Sequence, residues 1–349
     1  MAAATEPNSV TAETNIEAAE APSQTLAAPT PSPAPAKEEE KKTEASETPS
    51  QPQSTPAVEE KGPVSPTGTP LSKLFAELPS IVATVGYTEM WGVELRNSSD
   101  VPTCIVLEKF LRANTQDVAK AKAQLIEALK WRKEVQPQKL LEETEFDQAK
   151  FGGLGFVTAY PKTESHEKEI VTWNIYGGVK DKQATFGDAK EFVRWRAALM
   201  EVSLKELNLA SATVPIPPNG VDPYRMVQVH DYLNVSFLRM DPAVKAASKE
   251  VIQIFSMAYP ELVKEKFFVN VPLVMGWVFA AMKLFLSPDT IKKFHPLSYG
   301  SNLAGELPGF GQELPVAYGG KGKDIKEGLT VKYAAAIDAP VEEEGKKAP

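Results

Sequence analysis

The stretch from Tyr259 to Ser298, YPELVKEKFFVNVPLVMGWVFAAMKLFLSPDTIKKFHPLS, decides how this 349-residue chain is read. Its apolar core, Phe267 to Leu286, raises the question of a membrane span, but Asn270 and Pro272 interrupt one end and Lys283 the other. A span needs about 20 apolar residues in one helix, and the charge-free part is shorter. The run therefore divides into two elements. FFVNV, aromatic and β-branched, predicts a buried strand; VMGWVFAAMKLFL, Val274 to Leu286, predicts a helix starting near Pro272, where proline is tolerated. That helix is apolar almost all round, so it must be covered by protein, by lipid, or by each in turn.

Working outward, the composition is uneven. Residues 1–70 contain no Phe, Tyr or Trp and hold twelve of the 29 prolines, among Ala, Glu, Ser and Thr. Such a segment cannot bury enough apolar surface to offset the entropy of ordering it, and disorder is the expectation. Eleven Glu against four Lys place about seven of the eight net negative charges there. The remainder is nearly neutral, which argues against a nucleic-acid partner, since tracking phosphates requires a basic surface. The amino terminus shows no basic region followed by an apolar one, so the expected location is cytosolic. The single Cys104 fits a reducing compartment; beside Ile105, Val106 and Leu107 it predicts a buried, inert thiol.

Order is expected from Leu71, where Leu71, Leu74, Phe75 and Leu78 recur at helical spacing and Pro79 limits the helix. The string IVLEKFLRANTQDVAKAKAQLIEALKWRKEVQP predicts two helices broken at Asn114 and Thr115, either of which could cap the second. Val118, Ala121, Leu125 and Leu129 give that second helix one apolar stripe. From Gly152 short strands alternate with helices, the pattern of an α/β sheet. FVTAY and IVTWNIY read as strands, AKEFVRWRAALMEVSLKEL as a helix, RMVQVHDY as a strand entering a turn, and a helix follows Pro242. Alternation places Met226, Gln228, His230 and Tyr232 on one face of their strand, with Val227, Val229 and Asp231 on the other.

Catalytic signatures are missing: the sequence has no GxSxG, GxxxxGK[ST], HExxH or strand-linked GxGxxG. The glycines of FGGLG, from Phe151, predict a turn rather than a phosphate cradle. Three histidines exclude a His-rich metal site, and His166 falls in a charged loop, TESHEKE. His230 and Tyr232 remain. A phenolate is a hard anionic ligand suited to ferric iron, while spacing alone is equally that of a His and a Tyr lining a sheet face.

YPELVKEKFFVNVP, then a very apolar helix, then LSPDTIKKFHPL resembles the carboxy-terminal half of the CRAL-TRIO lipid-transfer family. The helical string, with its FLRA turn and closing Trp131–Arg132 pair, resembles the small helical domain that precedes that fold. The resemblance implies an α/β CRAL-TRIO lipid-binding fold: a disordered tail over 1–70, a helical subdomain over 71–140, the lipid-binding domain over 141–334 and a flexible tail over 335–349. It implies that the strand floors a lipid cavity and that the helix at 274–286 is a mobile gate. The family holds an inositol phosphate group with the Glu of its YPE motif and the Thr and Lys of DxTxxK, which fall on Glu261, Thr290 and Lys293. Lys293 offers a charge for phosphate, and a Thr hydroxyl both donates and accepts. The bland alternative is a helix capped by Ser287 or Asp289 with solvated lysines.

VTWNIYG, FVRWRAALME, QVHDY and VSFLRMD resemble a narrower set, the fungal phosphatidylinositol transfer proteins of the Sec-fourteen homologue subgroup whose cavity carries haem. That resemblance implies haem b with ferric iron ligated by Tyr232, His230 beside it, and Arg196 and Lys266 in the pocket. Family members can place a further Tyr where this chain has Asn114. The implied function is binding phosphatidylinositol and transferring it between membranes without catalysis. Contact with endoplasmic reticulum or plasma membrane is expected to be peripheral and reversible, with a link to phosphoinositide homeostasis or oxidant stress. A Tyr-ligated haem enzyme and a lipid- or haem-sensing adaptor are the rival expectations. Oligomeric state is left open.

Overall fold

The computed structural model describes residues 68–161, 168–236, 241–272 and 291–334. The expected gate helix, Thr290, His166, residues 335–349 and nearly all of the expected amino-terminal tail lie outside them.

Four helices come first: α1 Pro70–Val85, α2 Val101–Ala113, α3 Val118–Val135 and α4 Pro137–Glu143, with the two-residue strands β1 Glu89–Met90 and β2 Val93–Glu94 between α1 and α2. Thr69, Asp100 and Asp117 cap α1, α2 and α3 by accepting backbone N–H bonds, each cap stabilising its helix by about 1 kcal/mol. Two expectations are corrected here. Pro79 does not limit α1, which runs through it to Gly86 in a left-handed turn, because Leu74, Leu78, Ile81 and Val85 form a continuous buried face. Asn114 and Thr115 do not cap α3 either. Thr115 and Gln116 adopt positive φ to turn the chain, and the cap falls on Asp117.

The α/β part follows: α5 Gln148–Phe151, β3 Gly155–Pro161, β4 Lys168–Ile175, α6 Lys182–Phe186, α7 Ala189–Leu207, β5 Met226–Asp231, α8 Pro242–Ala258, β6 Val263–Val269 and β7 Phe294–Leu297. The sheet order is β3-β4-β5-β6-β7, with β3 antiparallel to β4 and the rest parallel. All six residues of β5 are buried, as expected of a central parallel strand covered on both faces. One face carries Val171, Trp173, Val227, Val229, Phe267 and Val269 and packs on Leu303, Leu314 and Tyr318 from the carboxy-terminal segment. On the other, α7 lies over β3 and β4, and Thr172 and Ser203 share a hydrogen bond of 2.7 Å.

The strand expected at FFVNV is β6, and it begins four residues earlier, taking in Val263–Lys266. Parallel pairing to β5 overrides the charged composition. Lys266 therefore lies inside the strand rather than just before it. Asn270, at φ 60°, ends the strand by leaving the extended region. Cys104 is half-buried, not buried; its thiol donates to Ser98 O at 3.6 Å and burial raises it above the ordinary thiol value.

Candidate functional site

Two clusters gather the residues singled out above. The first lies at the carboxyl ends of β4 and β5. His230 ends the run of side chains facing α7, and Tyr232, just past the strand, stays near that face because its N–H donates to Val269 O at 3.1 Å. Their rings share two neighbours. Tyr176 lies 5.7 Å from His230 and 5.3 Å from Tyr232, and Phe268 lies 5.3 and 6.4 Å from them, centroid to centroid. Tyr176, expected at the end of the strand IVTWNIY, instead opens a short helical turn beyond β4, where Gly177 passes so close to the Leu233 carbonyl that a Cβ would collide with it. Nothing in the spacing of the sequence joins residue 176 to residue 232, so only the tertiary structure reveals this contact.

Arg196, on the inner face of α7, is 3% exposed and donates through a terminal nitrogen to Asn174 Oδ1, while Arg194, two residues earlier, is exposed. Its guanidinium carbon lies 5.5 Å from the Phe255 ring centre and 5.9 Å from that of Trp195. Lys266, whose partner in the β5 register is Gln228, places Nζ 5.4 Å from the centre of Phe294. Among the described residues neither cation has a carboxylate partner, and Arg196 Nε and His230 Nε2 are buried without a hydrogen bond. Native interiors leave few such atoms, and each asks for a reason.

The electrostatics follow from this crowding of positive charge. Burial, then Lys266 and Arg196, hold the imidazole of His230 well below its ordinary value, so it is neutral at physiological pH. Burial and the neighbouring Arg196 push Lys266 down to about 8. Burial holds Arg196 below the ordinary guanidinium value, against the opposite pull of the Tyr176 and Tyr232 phenols. Burial raises the Tyr232 phenol far above its usual range; Tyr176 adds to this and Arg196 opposes it. A site with two cations, a neutral imidazole and three aromatic rings suits a flat aromatic ligand bearing anionic groups. Behind it the strand end is fixed from the far face: Asp231 accepts from Tyr318 Oη and Asn270 Nδ2, each at 2.7 Å, and Asn270 Oδ1 accepts from Gly300 N at 2.7 Å.

The second cluster joins the turn after α8 to the start of β7. Glu261, with φ 55°, turns its carboxylate to Lys293, whose Nζ lies 3.0 Å from Oε2. Both side chains are about three-quarters buried. A backbone bond of 2.7 Å from Lys266 N to Lys293 O sets the two clusters side by side on β6. Asn114 joins neither. Its side chain donates to Phe110 O at 2.8 Å and Gln124 Oε1 at 2.6 Å, inside the helical unit. A separate cleft of about 180 Å³ between α4 and α7, bordered by Trp91, Leu141 and Leu204, contains none of these residues. Among the described residues no helix is long and apolar enough to cross a membrane, and no group of three His, Cys, Asp or Glu side chains could hold a metal ion.

Residues 157–320 match the CRAL/TRIO domain and residues 70–127 the CRAL/TRIO N-terminal domain. The chain is 70% identical over 268 residues to "Phosphatidylinositol transfer protein sfh5" of Sclerotinia sclerotiorum, covering 76% of this chain and 65% of that one. It is equally identical to the protein of that name from Botryotinia fuckeliana, covering 60% of its length. It thus spans less than two thirds of either relative. The protein of that name from Neosartorya fischeri is 52% identical over 312 residues, covering 86% of this chain and 75% of that one. Among solved structures, "Crystal structure of Sfh5" superposes with a TM-score of 0.62 at 32% identity, covering 75% of this chain and 90% of that one. With this degree of identity, and with its helical unit leading into a mixed sheet, the chain belongs to the CRAL/TRIO family.

Proposed function

We propose that this protein binds phosphatidylinositol and transfers it between membranes, without catalysing a reaction. The observation that carries this reading is the Glu261–Lys293 pair. It sets an anion-binding ammonium beside a carboxylate able to accept from inositol hydroxyls, in a chain whose relatives are named phosphatidylinositol transfer proteins. Thr290, the third residue expected there, lies outside the described residues. Peripheral contact with cytoplasmic membrane faces belongs to the same reading. In a vesicle-to-vesicle assay, Lys293→Ala should lower phosphatidylinositol transfer while the protein stays folded. Unchanged transfer in that variant, or transfer of phosphatidylcholine only, removes the assignment.

A second ligand is favoured by the unpartnered Arg196 Nε and His230 Nε2 beside Lys266, which among the described residues has no carboxylate partner. The residues fit haem b: Tyr232 as the iron ligand, Arg196 and Lys266 as partners for its carboxylates, and Tyr176 and Phe268 against its ring. Haem bound through a phenolate would supply a ferric centre stabilised against reduction. The chain's own task is to deprotonate Tyr232, which burial resists and the Arg196 charge assists. A colourless protein that takes up no added haemin would sink this reading. Turnover of peroxide by the loaded protein would replace it with that of a haem enzyme.

A further inference from the structure

Three side chains from the amino-terminal helical unit converge on the backbone carbonyls of residues 256–261. Gln124 Nε2 in α3 donates to Ser256 O and Met257 O, each at 3.0 Å. Trp91 Nε1, in the turn between β1 and β2, donates to Ala258 O at 3.0 Å. Lys109 Nζ in α2 donates to Glu261 O at 2.9 Å. Between these contacts the Tyr259 hydroxyl donates to Glu201 Oε1 at 2.8 Å, and that carboxylate is held by Arg132 of α3 at 2.7 Å.

The first three carbonyls belong to the last turn of α8, where acceptors lack partners within the helix, so capping alone would account for Gln124 and Trp91. Lys109 needs another reason. Its side chain is fully buried, and its three protons go to Asp222 Oδ2 at 2.6 Å, Tyr224 O at 2.7 Å and Glu261 O. A buried ammonium is costly to desolvate, and this one is spent on the carbonyl of a non-glycine residue in the left-handed region, a conformation that persists only where its surroundings over-determine it. That residue bears the carboxylate facing Lys293. One step further on, Leu262 O accepts from Met226 N at 2.9 Å, so residue 261 is fixed between the helical unit and the sheet.

We infer that the amino-terminal helical unit sets the position of the headgroup carboxylate, with Lys109 as the positioning residue that holds Glu261 for phosphatidylinositol. This rests on the reading of Glu261 and Lys293 as the headgroup pair. Lys109 touches no ligand; it acts through the backbone of Glu261.

The test is a double-mutant cycle in the full-length protein, scored by transfer of phosphatidylinositol and of phosphatidylcholine between vesicles. Lys109→Met is combined with Asp222→Asn, so that no unpaired charge is left buried. This double variant should lose about ten- to a hundredfold in phosphatidylinositol transfer, the scale of one charge-assisted hydrogen bond. Phosphatidylcholine transfer should be unchanged. In a Glu261→Gln background the same two substitutions should change phosphatidylinositol transfer by less than about twofold, because the group they position is already gone. Equal losses for both lipids, an undiminished loss in the Glu261→Gln background, or no loss at all would each overturn the inference. If the double variant does not fold, Lys109→Gln combined with Asp222→Asn removes the charge while keeping a polar side chain at the site, and it is judged by the same cycle. If Glu261→Gln and Lys293→Ala leave phosphatidylinositol transfer intact, the headgroup reading fails and this inference with it; if they lower it and the Lys109 variant does not, the inference alone fails.

Discussion

At the scale of single residues, the environment of Tyr232 makes coordination separable from packing. Tyr232→Phe keeps the ring against Tyr176 and Phe268 and removes only the oxygen. Haem content should fall several-fold and the visible spectrum should change, with the thermal midpoint nearly unaltered. The same content and spectrum in the variant would mean that Tyr232 is not the ligand. Lys266 gives a pH signature. Because its amine is pushed down to about 8 in the folded chain from its ordinary 10.5, affinity for an anionic ligand should fall as pH rises through about 8 and the charge is lost. Folding stability should move the other way. Between about 8 and 10.5 the unfolded chain binds the proton that the folded chain has released, so stability rises with pH in that window. Lys266→Met should remove the pH dependence of ligand affinity above 8 and lessen that rise in urea titrations, the remainder belonging to Lys109, whose amine burial also pushes down to about 8; identical profiles in variant and native protein would show that Lys266 does not titrate there. His230 and Tyr232 were legible because a strand shows its faces through alternation. Tyr176 was not, since its place beside them depends on two strand ends meeting.

Secondary-structure elements show where local rules lose to packing. The α7 helix was readable end to end from AKEFVRWRAALMEVSLKEL, bounded by Asp188 as cap and Asn208 in the left-handed region. The α1 helix runs past the end that its sequence predicts at Pro79, which lacks the N–H its turn requires. Its ring points to solvent while Leu78 and Ile81 on either side are buried, so tertiary contact carries the helix across the gap. Pro79→Ala should restore that bond and stabilise the protein by about 1 kcal/mol, part of the gain being offset by a freer unfolded chain. A urea midpoint that rises with unchanged slope is the expected result; a lower midpoint would show that the proline is itself adapted to its site. The early start of β6 was hidden for a different reason. Val263, Lys264, Glu265 and Lys266 are all half-buried, so no clean alternation of apolar and charged residues marks the strand.

For the molecule as a whole, composition changes sharply near residue 70. The aromatic residues begin at Phe75, and all the described packing lies between residues 68 and 334. Deleting residues 1–66 should leave the thermal midpoint and phosphatidylinositol transfer unchanged, and a lower midpoint would show that the segment contributes contacts. The order of the longer helices α1, α2, α3, α7 and α8 and of the strands β3 to β6 was legible because each repeats its own period, whereas β1, β2, β7 and the short helices are too brief to show one. The contacts between the helical unit and the turn at 256–261 were not, because they pair one donor or carbonyl with another across long stretches of chain and leave no pattern in either.

Those contacts span 132 to 167 residues of sequence. At ribosomal speeds of about 5–20 residues per second, Trp91, Lys109 and Gln124 emerge on the order of ten seconds before the carbonyls they will bind. The ammonium of Lys109 meets Asp222 and Tyr224 first, and its third acceptor, the carbonyl of Glu261, is still missing when they arrive. The order of synthesis thus makes the Glu261–Lys293 pair among the last described parts of the molecule to form. A chain halted before residue 261 would carry its helices with donors still waiting, and so would present to chaperones a surface that the finished protein never shows.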